Sequence, residues 1–164
     1  MPKRSIKEDK NVYQLLRESC GYSREKASEC LQCISYSRLI RIESGELTPY
    51  PEEIITMAKV YGEPNLPNIF CSTDCPLGRE YVTQVEAKDL PVITLEMLNL
   101  LNRLTKQKDR LIEITVDGKI SESELRDFNA IRKDLEKMSM AIDSMQLWIE
   151  NMIASGEIDQ EEII

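Results

Sequence analysis

Apolar residues recur at every third or fourth position between residues 93 and 155 of this chain. In the later segment the repeat is unbroken, and its members are Phe128, Ile131, Leu135, Met138, Ile142, Met145, Ile149 and Met152. The earlier segment keeps this spacing with one polar member, at Ile93, Met97, Leu100, Leu104, Gln107, Leu111 and Ile114. Asp117-Gly118 between the two segments is a typical turn signal. The repeat therefore predicts two long helices that fold back on each other as an antiparallel hairpin.

This hairpin has more apolar surface than two helices can bury between them. We predict that the surplus packs against a second chain, most simply as a four-helix bundle in a homodimer. The residues assigned to dimerisation are Leu98, Leu101, Leu135, Met138, Ile142, Met145, Trp148 and Ile149. The alternative is a monomer in which the hairpin packs on the N-terminal domain of its own chain.

The turn of the hairpin has a second interpretation. Glu113, Asp117 and Glu124 fall at the spacing of an EF-hand calcium loop. The first of these positions usually holds Asp, however, and Thr115 is a poor ligand for the third position. Ser121 followed by Glu124 is equally typical of a plain turn with a capping box at a helix start. We predict the plain turn and keep calcium binding as the alternative.

Residues 23–45 predict two short helices joined by a tight turn. Ser23 and Ser35 are suited to cap the two helix starts, and Gly45 is suited to end the second helix. Ala27 is small enough to permit a close crossing of the helices. The outward side of the second helix is predicted to carry Tyr36, Ser37, Arg38 and Arg41. Hydroxyl groups, an aromatic ring and two guanidinium groups on one side of a helix suit contacts with phosphates and base edges.

These residues resemble the Xre/Cro-repressor-like helix-turn-helix regulators. The resemblance lies in Ser-Arg-Glu-Lys-Ala-Ser-Glu at residues 23–29, in Ser35, in Arg-Ile-Glu-Ser-Gly at residues 41–45, and in Pro49. Within that family the chain is most similar to a Firmicutes-type subgroup with a Cys-x-x-x-Cys-Pro segment, matched here by residues 71–76. The resemblance implies an all-α fold, with a lambda-repressor-like helix-turn-helix domain followed by the long antiparallel hairpin.

The resemblance covers residues 11–61 firmly and residues 64–78 more loosely, and it departs at Gln32-Cys33, where the usual glycine is missing. Members of this family bind double-stranded DNA. They grip phosphates near the start of the first motif helix and read bases with the first turns of the second. Carried over residue by residue, this implies phosphate contacts from Ser23, Arg24 and Lys26. It implies base readout by Ser35, Tyr36, Ser37 and Arg38, with Arg41 in reach of either and Glu43 anchoring the helix end.

The net charge of −8 is unevenly distributed along the chain. Residues 1–44 hold nine Lys and Arg against six Asp and Glu, whereas residues 71–164 hold eleven against nineteen. A basic end on an acidic body is compatible with oriented binding to DNA, since the local field steers association. No apolar run approaches the ~18–20 residues that cross a bilayer, and the N-terminus does not have the pattern of a signal peptide. We therefore expect a cytoplasmic protein that makes no membrane contact.

Catalysis has no support in the sequence. The chain contains no histidine, and it shows neither a nucleophile–base pair nor a phosphate-cradling glycine loop. We therefore predict that the protein is not an enzyme and that it needs no cofactor and no small-molecule substrate.

Four prolines punctuate residues 63–92, which predicts a shaped connector with at most one short helical turn. The predicted organisation is a helix-turn-helix domain over residues 1–62, this connector, the hairpin over residues 93–155, and an acidic tail over residues 156–164.

The five cysteines allow three interpretations. An odd number in a cytosolic protein argues against a disulfide framework. Cys30 and Cys33 could combine with Cys71 and Cys75 in a four-thiolate zinc site. Alternatively, Cys71 and Cys75 alone respond to metal or to oxidation. The favoured interpretation is that the thiols simply pack as small apolar groups, so that no metal is bound.

These observations together predict a sequence-specific, DNA-binding transcriptional regulator, which acts as a dimeric repressor. Two alternatives stay open. One is a protein-interaction adaptor that uses the helical hairpin, and the other is a thiol- or metal-responsive regulator that senses through Cys71 and Cys75.

Overall fold

The computed structural model describes residues 10–159 and 161 of the chain. This part of the chain contains eight helices and no strand, so the predicted all-α fold is confirmed. The helices are α1 Val12–Ser19, α2 Arg24–Leu31, α3 Tyr36–Glu43, α4 Pro51–Tyr61, α5 Leu66–Thr73, α6 Gly78–Tyr81, α7 Leu90–Thr115 and α8 Leu125–Ala154. Of the acidic tail predicted over residues 156–164, positions 160 and 162–164 lie outside the described residues.

Two compact units make up the described residues. The first unit runs to Gln84 and also includes the residues from Asn151 onward, whereas the second unit is Val85–Glu150. In the described residues we find no helix with the length and apolar character that a membrane span requires.

Short polar side chains determine where the helices of the first unit begin. Asn11, Ser23 and Ser35 each accept a hydrogen bond from the backbone N–H three residues later, at 3.0, 3.2 and 3.3 Å. Each bond satisfies a donor that has no partner inside the helix, which stabilises a helix by about 1 kcal/mol. Gly45 lies just past the end of α3 with a φ of 79°, a backbone conformation that glycine adopts without strain. The predicted caps of α2 and α3 are therefore confirmed.

One apolar core holds the helices of the first unit together. Its fully buried members are Leu31, Ile34, Leu39, Ile42, Ile54, Met57 and Leu66. α2 packs against α3 and α4, and α4 packs against α5. Burying one such side chain is worth ~1.5–3 kcal/mol, so this core fixes α3 firmly on its inner side.

The structure differs from the connector predicted over residues 63–92. The first part of that range forms α5 and α6, and Leu66 and Phe70 of α5 are buried in the core of the first unit. Tyr13 of α1 donates a hydrogen bond from its hydroxyl to Asp74 at the end of α5, at 2.5 Å. These contacts make α5 a fifth core helix and not part of a linker.

The prolines of residues 63–92 predicted a connector, but the effect of a proline depends on its position relative to a helix. Pro67 lies in the first turn of α5, where its missing N–H would have no helical partner in any case. Pro76 lies between α5 and α6, where a proline ends one helix without unfolding the chain around it. The compact unit therefore extends to Gln84 and does not end at residue 62.

Gly78 lets α6 approach α5 closely. A Cβ atom placed on Gly78 would lie 2.1 Å from the backbone carbonyl oxygen of Cys71, and the Gly78 N–H donates to Cys75 Sγ at 3.4 Å. We expect Gly78→Ala to lower the free energy of unfolding by about 1–3 kcal/mol, because a backbone carbonyl cannot move aside cheaply. Urea denaturation followed by circular dichroism measures the change. Arg79→Ala next to it is the control, since Arg79 is exposed and should stay within about 0.5 kcal/mol. Equal stability of the two variants would contradict this contact.

α7 and the part of α8 up to Glu150 form the second unit. They are joined by a turn around Asp117-Gly118, as predicted, with a Gly118 φ of 70°. The positions predicted to face inward on α7 are all buried or half-buried, and Ile93, Leu100 and Ile114 are the most buried of them. The predicted inner face of α7 is therefore confirmed.

The inner face of α8 differs from the predicted repeat. Leu135 and Ile142 are 48% and 44% exposed, whereas their neighbours Asp134 and Ala141 are buried. Ile131 is buried as predicted. The prediction was thus wrong at these two positions, where the preceding residue is buried instead, whereas the other members of the repeat are buried or half-buried.

Two ion pairs align the helices of the hairpin. Arg103 Nη2 lies 2.5 Å from Asp134 Oδ1, and Arg110 Nε lies 2.8 Å from Asp127 Oδ2. Arg110 follows Arg103 by seven residues on α7, and its partner Asp127 precedes Asp134 by seven residues on α8. An antiparallel arrangement of the two helices requires this. Asp134 is fully buried, and Arg103 supplies the opposite charge that a buried carboxylate needs. This pairing accounts for a polar residue on the inner face of α8.

The residues after the turn form one half of the predicted capping box, in which the glutamate side chain accepts the backbone N–H of the serine. Glu124 accepts hydrogen bonds from the backbone N–H and the hydroxyl of Ser121, at 2.9 and 2.5 Å. These bonds, the hydroxyl bond first, lower the pKa of Glu124. Glu124 would have to supply both oxygens to a calcium ion in an EF-hand, and one of them is already engaged by Ser121.

Candidate nucleic-acid interface

α2, the turn over residues 32–35 and α3 form the predicted helix-turn-helix. Ala27 is fully buried in α2, and Ile34 of the turn is fully buried in the core. Ser28 of α2 donates its hydroxyl hydrogen to the carbonyl oxygen of Ile34 at 2.8 Å, which ties the turn to α2. Gln32 has a positive φ of 53°, a backbone conformation that glycine adopts most easily. Gln32 lies near the position at which the family that the sequence resembles has a glycine, so the missing glycine and the unusual backbone conformation coincide.

The first turn of α3 is open to solvent. Ser35, Tyr36 and Ser37 are all exposed, Tyr36 on the very first helical position. The Ser35 hydroxyl caps the helix and lies 3.3 Å from the Ser37 hydroxyl. Arg41, a turn further on, exposes 55% of its side chain. The opposite side of α3 is buried in the core, so this helix presents one polar side outward, as predicted for Tyr36, Ser37 and Arg41.

Glu43 at the end of α3 is buried and links three helices. Its Oε1 accepts a hydrogen bond from Arg17 Nε of α1 at 2.6 Å, and its Oε2 accepts one from Arg24 Nε of α2 at 2.7 Å. Burial works to lower the pKa of Arg17, but the hydrogen bond and charge of Glu43 raise it more. The predicted anchoring role of Glu43 is confirmed. Arg24, which the resemblance assigns to phosphate, is engaged inside the domain through this carboxylate.

Arg38 also has a partner inside the domain, although it was predicted to face outward freely. Its Nε and Nη2 donate to the two carboxylate oxygens of Glu53 on α4, at 2.5 and 2.8 Å. Its guanidinium lies over the ring of Tyr50, 4.3 Å from the ring centre. The hydrogen bond to Glu53 is the main cause that raises the pKa of Arg38. Arg38 is thus positioned beside the outward side of α3, with one edge of its guanidinium occupied.

Acidic side chains lie among the exposed cations of this surface. Lys26 Nζ is 3.5 Å from a Glu29 oxygen, and Arg41 Nε is 3.4 Å from a Glu46 oxygen. Glu25 is also exposed, and hydrogen bonds from its own backbone N–H and from Ser23 lower its pKa. Exposed ion pairs of this kind contribute at most ~1 kcal/mol, so a phosphate group can replace either carboxylate at little cost.

Tyr50 and Glu53 are the residues of this surface that the sequence interpretation missed as functional. Tyr-Pro-Glu-Glu at residues 50–53 is locally typical of a helix start, with proline in the first turn and acidic residues at the positive end of the helix. The Glu53 carboxylate does accept the Tyr50 backbone N–H at 2.7 Å, as a helix cap would. The same carboxylate also holds Arg38, and nothing in the local sequence indicates a partner on another helix.

The cysteines are not gathered into one site. All five thiols are free, and Cys20, Cys71 and Cys75 pack against the core of the first unit. Cys30 is half-buried, but Cys33 is exposed, contrary to the predicted packing of both thiols. Across residues 10–159 and 161, no three His, Cys, Asp or Glu side chains converge in a way that could hold a metal ion. The four-thiolate alternative is therefore not supported.

Comparisons of the chain with protein-family models, with curated proteins and with solved structures gave no match.

Proposed function

We propose that this chain is a sequence-specific regulator of transcription that binds double-stranded DNA in the cytoplasm, as a repressor. The observation that carries the proposal is the exposed first turn of α3, with Tyr36 and Ser37 outward, on a helix whose inner side and C-terminal end are fixed. A helix with a polar outer side and little freedom to move is suited to the major groove, which is about 12 Å wide.

In the proposed complex, the start of α3 enters the major groove. Tyr36 and Ser37 then contact base edges, and Arg41 contacts a base or a phosphate beside them. Ser23 and Lys26 lie at the start of α2, where the helix dipole and the lysine charge attract a phosphate. Arg38 adds positive charge next to the groove, held in place by Glu53 and Tyr50. No step of this mechanism requires a cofactor or a catalytic group.

Selection of bound sites from random double-stranded DNA tests the proposal directly. We expect an enriched consensus, and we expect its affinity to fall steeply as salt rises, because phosphate contacts release counterions. If the purified full-length chain enriches no sequence at low salt, the proposed function is wrong.

Arg41→Ala is expected to weaken binding to the selected site by about 5- to 150-fold, since an arginine contact with a base is worth about 1–3 kcal/mol. Arg38→Ala is expected to have a smaller effect, because Glu53 already occupies one edge of its guanidinium. Fluorescence anisotropy with labelled DNA measures both constants. Lys106→Ala, an exposed cation on α7 in the second unit, is the matched control for loss of one charge. Unchanged affinity in both arginine variants would remove α3 as the recognition helix.

A second candidate function is a protein-interaction adaptor. It is favoured by the acidic side chains around the exposed first turn of α3, since Glu29 and Glu46 pair with the cations there. An adaptor would bind a partner protein with weak dependence on salt, and it would leave DNA unprotected in a footprint. A regulator would protect DNA and lose affinity steeply with salt.

A further inference from the structure

An exposed tyrosine ring lies beside the first turn of α3. Tyr50 directly precedes α4, and 61% of its surface is exposed. The guanidinium of Arg38, which belongs to the first turn of α3, lies over this ring at 4.3 Å from the ring centre. The same turn of α3 carries the exposed side chains of Tyr36 and Ser37. The ring of Tyr50 therefore borders the exposed start of α3, although it comes from the start of another helix.

The backbone of Tyr50 is held in one conformation. Tyr50 stands between Pro49 and Pro51, and a residue that precedes proline is restricted to extended backbone conformations. Its φ of −76° and its ψ of 153° fall in that region. Its N–H donates to Glu53 Oε2 at 2.7 Å, which ties the residue to the first turn of α4. Folding has therefore already removed the backbone freedom that binding would otherwise have to remove.

The contact with Arg38 orders the ring as well. Two hydrogen bonds to Glu53, from Nε and Nη2 of Arg38, set the orientation of the guanidinium. A guanidinium over the face of an aromatic ring is an attractive contact. The rest of the ring stays in water, so the protein orders an aromatic side chain without burying it. Such a ring offers a large and rigid contact area at a low cost in conformational entropy.

We propose that Tyr50 contacts the 5-methyl group of a thymine in the DNA site, next to the bases that the first turn of α3 contacts. This inference rests on the proposed function, because it requires α3 to lie in the major groove. Thymine presents a methyl group in that groove, and apolar side chains select thymine by contact with it. The neighbouring Ser35 and Ser37 offer hydroxyl groups, whereas the ring offers the apolar surface that a methyl group requires.

The charges beside the ring favour a base edge over the DNA backbone. The exposed carboxylate of Glu52 lies two residues after Tyr50, and the nearby Glu53 carboxylate is paired with Arg38. Like charges that meet across an interface lower affinity, so Glu52 disfavours a phosphate close to the ring. A methyl group carries no charge, and it gains free energy when it leaves water for an apolar surface.

The test uses the full chain and the DNA site selected from random sequences. Each thymine of that site is replaced in turn by deoxyuridine, which lacks only the 5-methyl group, and fluorescence anisotropy measures each Kd. We expect one replacement to weaken binding of the natural chain by about 4-fold, since burial of a group of this size is worth ~0.8 kcal/mol. We call this loss the methyl effect. In Tyr50→Ser the same replacement should leave the affinity unchanged.

Serine is chosen for position 50 because it is favoured at a helix start, so that α4 should be retained. Circular dichroism checks this, and Tyr50→Asn takes the place of Tyr50→Ser if helicity is lost. Tyr50→Phe keeps the ring and should keep the methyl effect in full. Tyr81→Ser is the matched control, because Tyr81 is 81% exposed in the same unit, and it should also keep the methyl effect.

The outcomes separate this inference from the proposed function. A chain that enriches no DNA sequence would overturn both. A chain that binds its site and shows the same methyl effect in Tyr50→Ser as in the natural sequence would overturn the Tyr50 contact alone. The contact is equally wrong if no thymine shows the effect, if Tyr50→Phe abolishes it, or if Tyr36→Ser abolishes it while Tyr50→Ser does not.

Discussion

Replacing Glu43 with alanine is expected to lower the free energy of unfolding of the first unit by about 3–5 kcal/mol. The carboxylate is fully buried, and it accepts hydrogen bonds from Arg17 and Arg24 on two other helices. Without it, the buried cation of Arg17 keeps only the carboxylate of Glu18, 3.7 Å away, and loses both hydrogen bonds to Glu43. Removing the close partner of a buried charge costs about this much. A domain of this size is stabilised by only about 5–15 kcal/mol, so the loss is a large part of the total.

The natural chromophores separate the two units in this measurement. All tyrosines precede residue 84 and report on the first unit, whereas Trp148, the single tryptophan, lies in the second. Urea unfolding followed by tyrosine absorbance should shift in Glu43→Ala and leave the tryptophan signal of the hairpin in place. Glu46→Ala, which removes an exposed carboxylate three residues past α3, should change stability by less than about 0.5 kcal/mol. Equal effects of the two substitutions would show that Glu43 does not hold the helices together.

The helix-turn-helix could be predicted from the sequence because its signals are local. Ser23 and Ser35 each cap a helix through the backbone N–H three residues later, and Gly45 lies directly after the end of α3. A pattern of this kind is decided within one or two turns of helix, so the residues that decide it are neighbours in the sequence. The outward position of Tyr36, Ser37 and Arg41 follows from the same periodicity.

The partner of Arg38 could not be predicted, because the pair joins two helices. Glu53 is fifteen residues from Arg38 in the chain. Its local sequence indicates only an ordinary acidic residue in the first turn of a helix. Only the packing of α4 beside α3 brings the two side chains together. The sequence therefore predicted the exposed side of α3, but it did not predict that Glu53 occupies one edge of the Arg38 guanidinium.

The hairpin shows a different limit of sequence reasoning. An apolar repeat predicts that Leu135 and Ile142 face the partner helix, since apolar groups are normally the buried ones. The structure instead buries Asp134, with Arg103 beside it, and leaves Leu135 exposed. On α8 the stripe with Asp134 and the stripe with Leu135 compete for the contact with α7. A helical wheel cannot predict which of the two is buried when an ion pair favours the stripe that contains the polar residue. The stripe that is left outside includes Leu135 and Ile142, two residues that the sequence predicted to take part in dimerisation.

Phe70→Ala is expected to destabilise the first unit by about 3–5 kcal/mol, the usual cost when a buried phenylalanine leaves a cavity. Phe70 is 6% exposed within the core, on a helix that the sequence predicted to be part of a connector. Hydrogen exchange of the α4 and α5 amides should speed up together in this variant, because α5 packs directly on α4.

Leu77→Ala provides the contrast, since Leu77 lies just ahead of α6 and is 70% exposed. A loose connector would make both substitutions nearly neutral and would leave α4 protected in either variant. If α5 is a core helix, Phe70→Ala lowers the free energy of unfolding strongly, whereas Leu77→Ala changes it by no more than about 0.5 kcal/mol. The distinction matters for α3 as well, because α4 carries Glu53, which holds Arg38. Loosening α5 should therefore also weaken the contact that positions Arg38 beside the outer side of α3.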